Sequence, residues 1–311
     1  MSFDLGHHPP VVWGAFTLVV VVLLVLDLFV VNRKSHVLTL AEAGRWFGAL
    51  VALALLFGLF LLGREGSKAM LEYYTGYLIE LSLSVDNLFV FILVFQYFAV
   101  PAALQPKVLK WGILGALVLR AVMILGGALL LQRFSWITWV FGGILVFTGW
   151  KMLTRTEERI EPGRNPVVRL VRRILPVGDA FEGDRFVVRG HRGWRLTPLL
   201  LVLLTIEWTD LVFAIDSIPA VFAVTRDPFI VYSSNVFAIL GLRALFFLVA
   251  GLLDTFRHLK SGVAIVLLFV GLKMAATPFL HIPIGLSLGV IVGVLAGAVA
   301  LSLRHPAPAR E

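Results

Sequence analysis

The stretch that decides the fold is Glu80-Leu-Ser-Leu-Ser-Val-Asp86-Asn87, which recurs as Asp210-Leu-Val-Phe-Ala-Ile-Asp216-Ser217. Each copy reads as an acid, five residues, an aspartate and a small polar residue, and each lies in a long apolar segment. A charged side chain at the centre of a bilayer costs about 2.5–3.5 kcal/mol on insertion scales. Acids placed there twice indicate a functional site that faces protein or water and not lipid.

Two further landmarks follow each copy in the same order. The next apolar segment carries one arginine, Arg120 in the first half and Arg243 in the second. The segment after it ends in Gly-x-Lys-Met, at residues 149–152 and 271–274, so the arginine-to-lysine distances are 31 and 30 residues. The order predicts a repeated unit of three membrane helices. Because three is odd, the two units enter the membrane from opposite sides, as in the inverted repeats of secondary transporters.

The composition agrees with a chain that crosses a membrane many times. Of its 311 residues, 59% are apolar and 15% are charged, whereas soluble domains have about 45–50% and about 25%. The apolar residues occur in blocks of about 20, the length a helix needs to cross a bilayer. We predict an all-α polytopic membrane protein with nine spans, at residues 11–31, 44–62, 71–99, 109–131, 136–152, 196–224, 229–252, 259–277 and 281–303.

The spans and the repeat predict five regions. They are two N-terminal helices (1–66), the first three-helix repeat (67–153), a basic insert (154–195), the second, inverted repeat (196–277), and a last helix with its tail (278–311). The first helix is expected to be retained, since a basic N-terminal region and a small-residue cleavage site are both missing.

The basic residues predict the orientation. Twenty of the 27 lysines and arginines lie in connections on one side of the predicted spans and five on the other. The positive-inside rule then puts the N-terminus outside and the C-terminus in the cytoplasm. The net charge of +8 is thereby explained as membrane topology, and no nucleic-acid partner is expected.

The buried polar groups predict a cation site. Five acids but only two arginines lie well inside spans, away from the span ends, so an ionised site is negative and holds a cation, or protons when the cation leaves. There is no cysteine, and all seven histidines lie in loops or at span ends, so His7 and His8 are expected to be solvated. Oxygen ligands suit Mg²⁺, Ca²⁺ or Mn²⁺. The candidate ligands are Glu80, Asp86, Asn87, Glu207, Asp210, Asp216, Ser217 and Asn235, with Arg120 and Arg243 tuning their charge.

Helical spacing places most of these groups on one face in each half, while Asp86 and Asp216 lie about 100° away. Pro219 is expected to kink or unwind the helix after Asp216 and to free carbonyl ligands. Asn235 fits either a ligand or a helix-terminal hydrogen bond, and the arginines fit either charge tuning or structural ion pairs. The two faces are Glu80, Ser84 and Asn87, and Glu207, Asp210 and Ser217.

The insert is too polar to span a membrane. Apolar and basic residues alternate between Pro166 and Pro176 and predict a short helix on the inner membrane surface. Residues 184–197 predict a small hairpin around Gly190 and Gly193. A solvated tether between the two repeats explains the insert equally well.

The two halves together resemble the TerC family of bacterial membrane proteins. The resemblance rests on Ile206-Glu207-Trp208-Thr209-Asp210, on Asp216-Ser217-Ile218-Pro219, on Asp227-Pro228, on the run from Ser234 to Arg243, and on the first-half motif at Glu80 to Asn87. It covers residues 10–303. It implies a multi-pass protein of the bacterial inner membrane with a part in manganese export and metal homeostasis. The family takes its name from tellurite resistance, but without cysteine this chain is not expected to reduce tellurite by thiol chemistry.

The resulting hypothesis is a secondary transporter that exports a divalent cation, manganese by resemblance, with protons as the exchanged ion and the lipid bilayer as its surroundings. No permanently bound cofactor is expected. The rival hypothesis is a non-transporting scaffold that supports metal loading of secreted proteins or resistance to envelope stress. An enzyme is not expected, because the chain has no HExxH motif and no serine or cysteine nucleophile with a neighbouring base.

Overall fold

A computed structural model describes residues 8–26, 39–134, 136–154, 166–178, 180–190, 193–251, 258–276 and 282–304. Ten helices and one two-stranded hairpin lie in these ranges. They are α1 (Pro10–Val25), α2 (Leu40–Glu65), α3 (Ser67–Tyr97), α4 (Gln105–Arg133), α5 (Ile137–Thr154), α6 (Pro166–Ile174), β1 (Val187–Gly190), β2 (Gly193–Leu196), α7 (Pro198–Phe222), α8 (Pro228–Gly251), α9 (Leu259–Ala276) and α10 (Ile284–Arg304).

Seven of the described helices are long and apolar enough to cross a membrane: α2, α3, α4, α5, α7, α8 and α10. This confirms an all-α multi-pass membrane protein. Helices α1 and α9 coincide with the first and eighth predicted spans, but their described apolar parts are shorter. The count of nine spans therefore stays a prediction at these two helices.

Helices α3 and α8 form the centre of the bundle. They are mostly buried, whereas α2, α5 and α10 expose most of their apolar side chains. Exposed apolar residues such as Leu56, Val118 and Phe147, at 60%, 68% and 68% exposure, form the surface that a bilayer covers. A helix that is apolar on all sides is typical of such surroundings.

Side-chain contacts join the helix ends into two groups. At one end, Thr225 Oγ1 donates to Glu72 Oε2 at 2.7 Å, and Arg226 donates to Thr138 at 3.5 Å. At the other end, the backbone amide of His258 donates to Ser302 Oγ at 3.1 Å. We name these the His8 end and the insert end, after the residues described next.

His8 was predicted from the sequence to be solvated, and this prediction is wrong. Its side chain is 8% exposed, with Nε2 3.2 Å from Asp227 Oδ2 and Nδ1 3.7 Å from Glu65 Oε1. Its ring packs 4.5 Å from the ring of Phe229. Both acids are distant in sequence, so only the folded bundle brings them to this histidine, which ties α1 to α2 and α8. His7 lies outside the described residues.

The Gly-x-Lys-Met motifs mark the closest helix contact, between α5 and α9. A Cβ at Gly149 would lie 2.8 Å from the Ala264 carbonyl oxygen, and one at Gly271 would lie 3.0 Å from the Gly142 carbonyl oxygen. Each glycine thus meets the residue seven positions before the other glycine, so the two helices run antiparallel. Small residues that let backbones approach are a recurrent means of helix association in membranes. We call this contact the glycine seam.

Helix α7 does not unwind at Pro219. It is helical from Pro198 to Phe222, with Pro219 buried in its last turn. The expectation of an unwound segment after Asp216 was wrong, because a proline removes one backbone bond and the helix ends only three residues later. No described carbonyl ligand arises there from unwinding.

The insert contains the short helix and the hairpin that the sequence predicts, as α6 and the antiparallel pair β1–β2. Lys107 of α4 binds Asp184 with Nζ 2.8 Å from Oδ2 and lies over the ring of Phe186 at 5.1 Å. The hydrogen bond from Lys107 lowers the pKa of Asp184 below its usual value. These contacts fasten the insert to the first turn of α4.

The glycine seam yields a matched pair of substitutions. Gly149→Ala or Gly271→Ala places a methyl group against backbone atoms, and overpacking of this kind destabilises by about 1–3 kcal/mol. Gly143→Ala on the same helix is the control, since a Cβ there meets nothing within 4 Å. The midpoint temperature of thermal unfolding, measured on the purified protein in detergent, should fall for the first two variants only. An equal decrease of the unfolding temperature in Gly143→Ala would contradict the close backbone contact at the glycine seam.

Candidate ion-binding site

Arg120 of α4 binds two acids from two other helices. Its Nη1 donates to Glu80 Oε2 of α3, while Nη2 lies 3.1 Å from Asp210 Oδ1 and Nε 3.3 Å from Asp210 Oδ2 of α7. All three side chains are at most 2% exposed. The bond to Asp210 is bidentate, the geometry that arginine and carboxylate favour. With both acids ionised, the triad carries one net negative charge.

Asn87 completes this cluster. In one amide orientation its Nδ2 donates to Asp210 Oδ1 at 3.4 Å. In the swapped orientation its oxygen accepts from Arg120 Nη2 at 3.3 Å and its nitrogen donates to the Leu83 carbonyl at 3.1 Å. Either way, a first-half side chain contacts the second-half acid or its arginine. Asn87 is 2% exposed.

The cluster lies midway along its helices. Glu80 is 13 residues from the start of α3 and Asp210 is 12 residues from the start of α7. At 1.5 Å per residue both are about 18–20 Å from the start of their helices, close to the midpoint of each. Because α3 and α7 are long enough to cross a membrane, we expect the cluster to lie near the middle of the bilayer.

The register of α3 and α7 brings Ser217 to the level of Glu80. A Cβ at Gly76 would lie 3.1 Å from a Val221 methyl, and Asn87 contacts Asp210. The two contacts are eleven residues apart on each helix and in opposite directions, so the helices are antiparallel. Ser217 lies one turn before Val221, and Glu80 one turn after Gly76.

Several polar side-chain atoms of the described residues in this region, most of them oxygens, have no hydrogen-bond partner. They include Glu80 Oε1, Ser84 Oγ, Ser217 Oγ and both polar atoms of the Asn235 amide, all buried. Each such group costs roughly 1–3 kcal/mol if nothing binds it. Buried unsatisfied groups are rare in native proteins and call for an explanation such as an ion or water.

Glu207 lies one turn from Asp210, toward the insert end of α7. It is half-buried, and its carboxylate occupies the space that a side chain at Gly115 of α4 would fill. Glu207 is therefore next to the triad without being part of it.

Asp216 faces a different neighbour. Its Oδ1 accepts from Thr148 Oγ1 of α5 at 2.9 Å, and the side chain is half-buried. This agrees with its angular distance from the polar face of α7. Its first-half counterpart, Asp86, lies within α3, but its side chain is outside the described atoms.

The two remaining candidates lie on α8. Asn235 is 1% exposed and follows Ser234, whose hydroxyl oxygen would lie 2.9 Å from a Cβ at Gly76. Arg243 is 3% exposed and lies two turns further along. The structure thus gathers Glu80, Asn87, Asp210 and Arg120, sets Ser217 at the same level, and places Asp216 against α5.

A family model, described as the integral membrane protein TerC family, matches residues 65–308. The chain belongs to the TerC family. The matched range runs from the start of α3 to beyond α10 and includes every candidate residue, so the cluster lies wholly inside the shared part.

Curated TerC relatives match almost end to end. The chain is 47% identical over 295 residues to proteins of Shigella flexneri and Escherichia coli K12 that are provisionally named membrane-bound redox modulator Alx, covering 92% of each chain. It is also 47% identical over 294 residues to an uncharacterized membrane protein of Myxococcus xanthus, with 94% of this chain covered. No solved structure matches this chain.

Some residues of the candidate site were not predicted from the sequence. Thr148 binds Asp216, and Gly115 and Gly76 make room for Glu207 and Ser234. Thr148 stands directly before the first Gly-x-Lys-Met motif, which was the available signal. The two glycines look like any others in an apolar segment, because only the facing helix gives them a role.

The cluster can hold a cation between its acids, and at present the guanidinium of Arg120 is that cation. Within the described part of the chain, no three His, Asp or Glu side chains converge as a ready-made metal cage. Glu80 and Asp210 approach one another only through Arg120. A metal ion bound by both acids therefore requires the arginine to move.

The triad predicts a strong stability effect. Arg120→Gln leaves Glu80 and Asp210 buried without their counter-ion, and breaking such a pair costs about 3–5 kcal/mol. The double variant Arg120→Gln with Glu80→Gln should recover part of this loss, because it removes one unpaired charge. Thermal unfolding in detergent measures both, with Arg133→Gln at the exposed end of α4 as control. If the double variant lost as much stability as the two single variants together, the pairing of Arg120 with Glu80 would be contradicted.

Proposed function

We propose that this TerC-family protein is a secondary transporter that exports a divalent metal cation, manganese in particular, through the site between α3, α4, α7 and α8. One observation carries the proposal: the bundle centre holds buried acids with a single arginine between them and orphaned oxygen atoms around them. Polar groups inside a membrane bundle are costly and mark ion pathways.

Arg120 acts in this proposal as a tethered cation. When the site is empty, its guanidinium neutralises Glu80 and Asp210. When the metal arrives, it takes over both carboxylates, and Arg120 swings away because two cations cannot share the site. Protons on the acids serve the same purpose when the metal leaves, so proton exchange is the coupling that we propose.

An inverted pair of three-helix units, α3–α5 and α7–α9, is supported by the glycine seam. Gly149 and Gly271 occupy equivalent positions in the two units and make equivalent contacts with each other's helix. The antiparallel course of α3 and α7 fits the same relation. Rocking of one unit against the other about a fixed midplane site is the usual consequence of this architecture.

The direction of the path follows from the charge of the loops. With the N-terminus outside, in the cytoplasmic membrane of a bacterium, the insert end faces the cytoplasm. Glu207 then lies on the cytoplasmic side of Asp210, where it attracts a cation into the site. Glu72, Asp227 and Glu65 lie toward the outer end, near His8.

The choice of metal rests on the donors and on the family resemblance. Carboxylate, amide and hydroxyl oxygens suit Mn²⁺, Mg²⁺ and Ca²⁺ and suit Zn²⁺ or copper less well. The provisional redox-modulator name of the relatives does not conflict with this. Because this chain has no cysteine, a redox role here would have to work without thiols of its own, and we propose no catalytic activity.

Transport in proteoliposomes tests the proposal. Wild-type protein should move Mn²⁺ into a compartment with a trapped Mn²⁺-sensitive dye, and Asp210→Asn or Glu80→Gln should reduce the rate about tenfold or more, because each removes a ligand charge. Glu182→Gln is the control, since this acid lies in the insert and pairs with Arg195. Equal flux through Asp210→Asn would overturn the site assignment.

Metal binding tests the tethered-cation role separately. Metal at about a hundred times its dissociation constant raises the free energy of unfolding by roughly 2.7 kcal/mol. Mn²⁺ should stabilise Arg120→Gln more than wild type, because the competing charge is gone. A smaller effect of Mn²⁺ on the variant would mean that Arg120 assists metal binding and does not compete with it.

The rival proposal, a non-transporting scaffold, is distinguished in the same liposomes. It requires no Mn²⁺ flux under any proton or metal gradient, in protein that is folded and correctly inserted. The orphaned oxygen atoms at the bundle centre favour the transporter, since a scaffold has no need of unsatisfied groups at that depth.

A further inference from the structure

Helix α6 and the hairpin form one module at the insert end. After α6, the Gly178 amide donates to the Leu196 carbonyl at 2.9 Å, and the Leu196 amide donates to the Pro176 carbonyl at 2.9 Å. The next residue, Thr197, binds the Arg185 carbonyl through its hydroxyl at 2.7 Å. Helix α7 begins at Pro198. The module therefore lies where a membrane-spanning helix enters the bilayer.

Helix α6 presents a mixed basic and apolar face away from the protein. It packs against α7, and its Val168 is buried, at 4% exposure. On the opposite side lie Leu170 and Ile174, at 56% and 65% exposure, with Arg173 beside them and also exposed. Leu170 and Ile174 are four residues apart, so they form one stripe along the helix.

The hairpin adds a second surface of the same kind. Arg189 pairs with Trp194 across the strands, so both side chains lie on one face. Both are exposed, Trp194 at 69%. Val188 lies on the other face and is 5% exposed. The outward face therefore carries Trp194, four residues before the start of α7, together with Arg189.

We propose that these two faces bind the bilayer itself: Leu170, Ile174 and Trp194 enter the headgroup region, and Arg173 and Arg189 bind the phosphates of anionic phospholipids. The occupant is the phospholipid of the same membrane, in the cytoplasmic leaflet if the proposed orientation holds. The surface is distinct from the proposed ion site.

Three physical arguments favour lipid over a soluble partner. Exposed leucine, isoleucine and tryptophan beside arginine is the pattern of interfacial amphipathic helices. Tryptophan is enriched at membrane interfaces, where its ring lies at the level of the headgroups. The chain carries ten arginines and six acids in residues 154–195, and each basic residue near an anionic surface is attracted to it.

The contacts with α4 give this binding a route to the bundle. Lys107 holds Asp184 at 2.8 Å, and Trp111 packs edge-on against Phe186 with ring centroids 6.4 Å apart. Lys107 and Trp111 both lie on α4, the helix that also carries Arg120. Lipid binding by the module therefore fixes the insert end of the helix that carries Arg120.

Single-cysteine labelling tests the proposal on the full chain, which has no native cysteine. An environment-sensitive fluorophore is attached at Ile174→Cys and, as control, at Ala180→Cys, which is exposed but outside both faces. The protein is placed in nanodiscs of phosphatidylglycerol with phosphatidylcholine, or of phosphatidylcholine alone. Quenching by lipids with a spin label near the headgroup reports contact with the bilayer.

The label at Ile174 should be quenched and blue-shifted in anionic nanodiscs, and the label at Ala180 should not. Arg173→Gln and Arg189→Gln, added to the labelled protein, should each lower the ratio of lipid-bound to water-exposed label at position 174. The expected decrease is roughly fivefold for each arginine removed, the equivalent of about 1 kcal/mol per residue. Equal signals at positions 174 and 180 would overturn the proposal and point to a soluble partner. Equal signals in both lipid mixtures would overturn the anionic-lipid part.

Loss of this binding is distinguishable from failure of the proposed transport. The labels report contact with lipid whether or not the protein moves a metal. Conversely, Asp210→Asn should strongly reduce Mn²⁺ flux and leave the label at position 174 quenched. If Asp210→Asn changed the quenching, the module would be responding to the state of the bundle and not to lipid alone.

Discussion

The ion pairs of Arg120 with Glu80 and Asp210 are the constraint on which the rest of the bundle depends. At the centre of a membrane no water is at hand to solvate these charges, so each carboxylate needs the guanidinium and the guanidinium needs both. Helices α3, α4 and α7 must therefore meet at one level. Gly76 and Gly115 provide the space around this meeting point, because larger side chains would displace Ser234 and Glu207.

The bundle combines this polar centre with a tightly packed seam. Helices α5 and α9 meet backbone to backbone at Gly149 and Gly271, a contact that tolerates little change. The centre, by contrast, leaves Glu80 Oε1 and the hydroxyls of Ser84 and Ser217 without partners. A tightly packed seam beside an incompletely satisfied site is compatible with the proposed transport, because packed interfaces move as units and do not deform gradually.

Predictions from the sequence are correct where the pattern of residues is local and periodic. Long apolar segments predict helices because a bilayer imposes their length, and acids within such segments predict a site because their cost demands a reason. The predictions were wrong at His8 and, for the unwound turn, at Pro219. His8 looked solvated because both acids that bind it are distant in the chain. Pro219 was expected to kink or unwind α7, and the helix does not unwind because Pro219 lies in its last turn, where the loss of one backbone bond is easily accommodated.

The sequence by itself determined the membrane class, the multi-pass helical fold, the family and the residues from which a site would be built. Composition and spacing suffice for these, since they depend on each segment's exchange between water and lipid. Only the tertiary structure decided which acids share an arginine and which stand apart. Glu80 and Asp210 are joined by Arg120, whereas Asp216 binds Thr148 on another helix. Helix rotation and antiparallel register make that division, and both are set by packing between segments far apart in the chain.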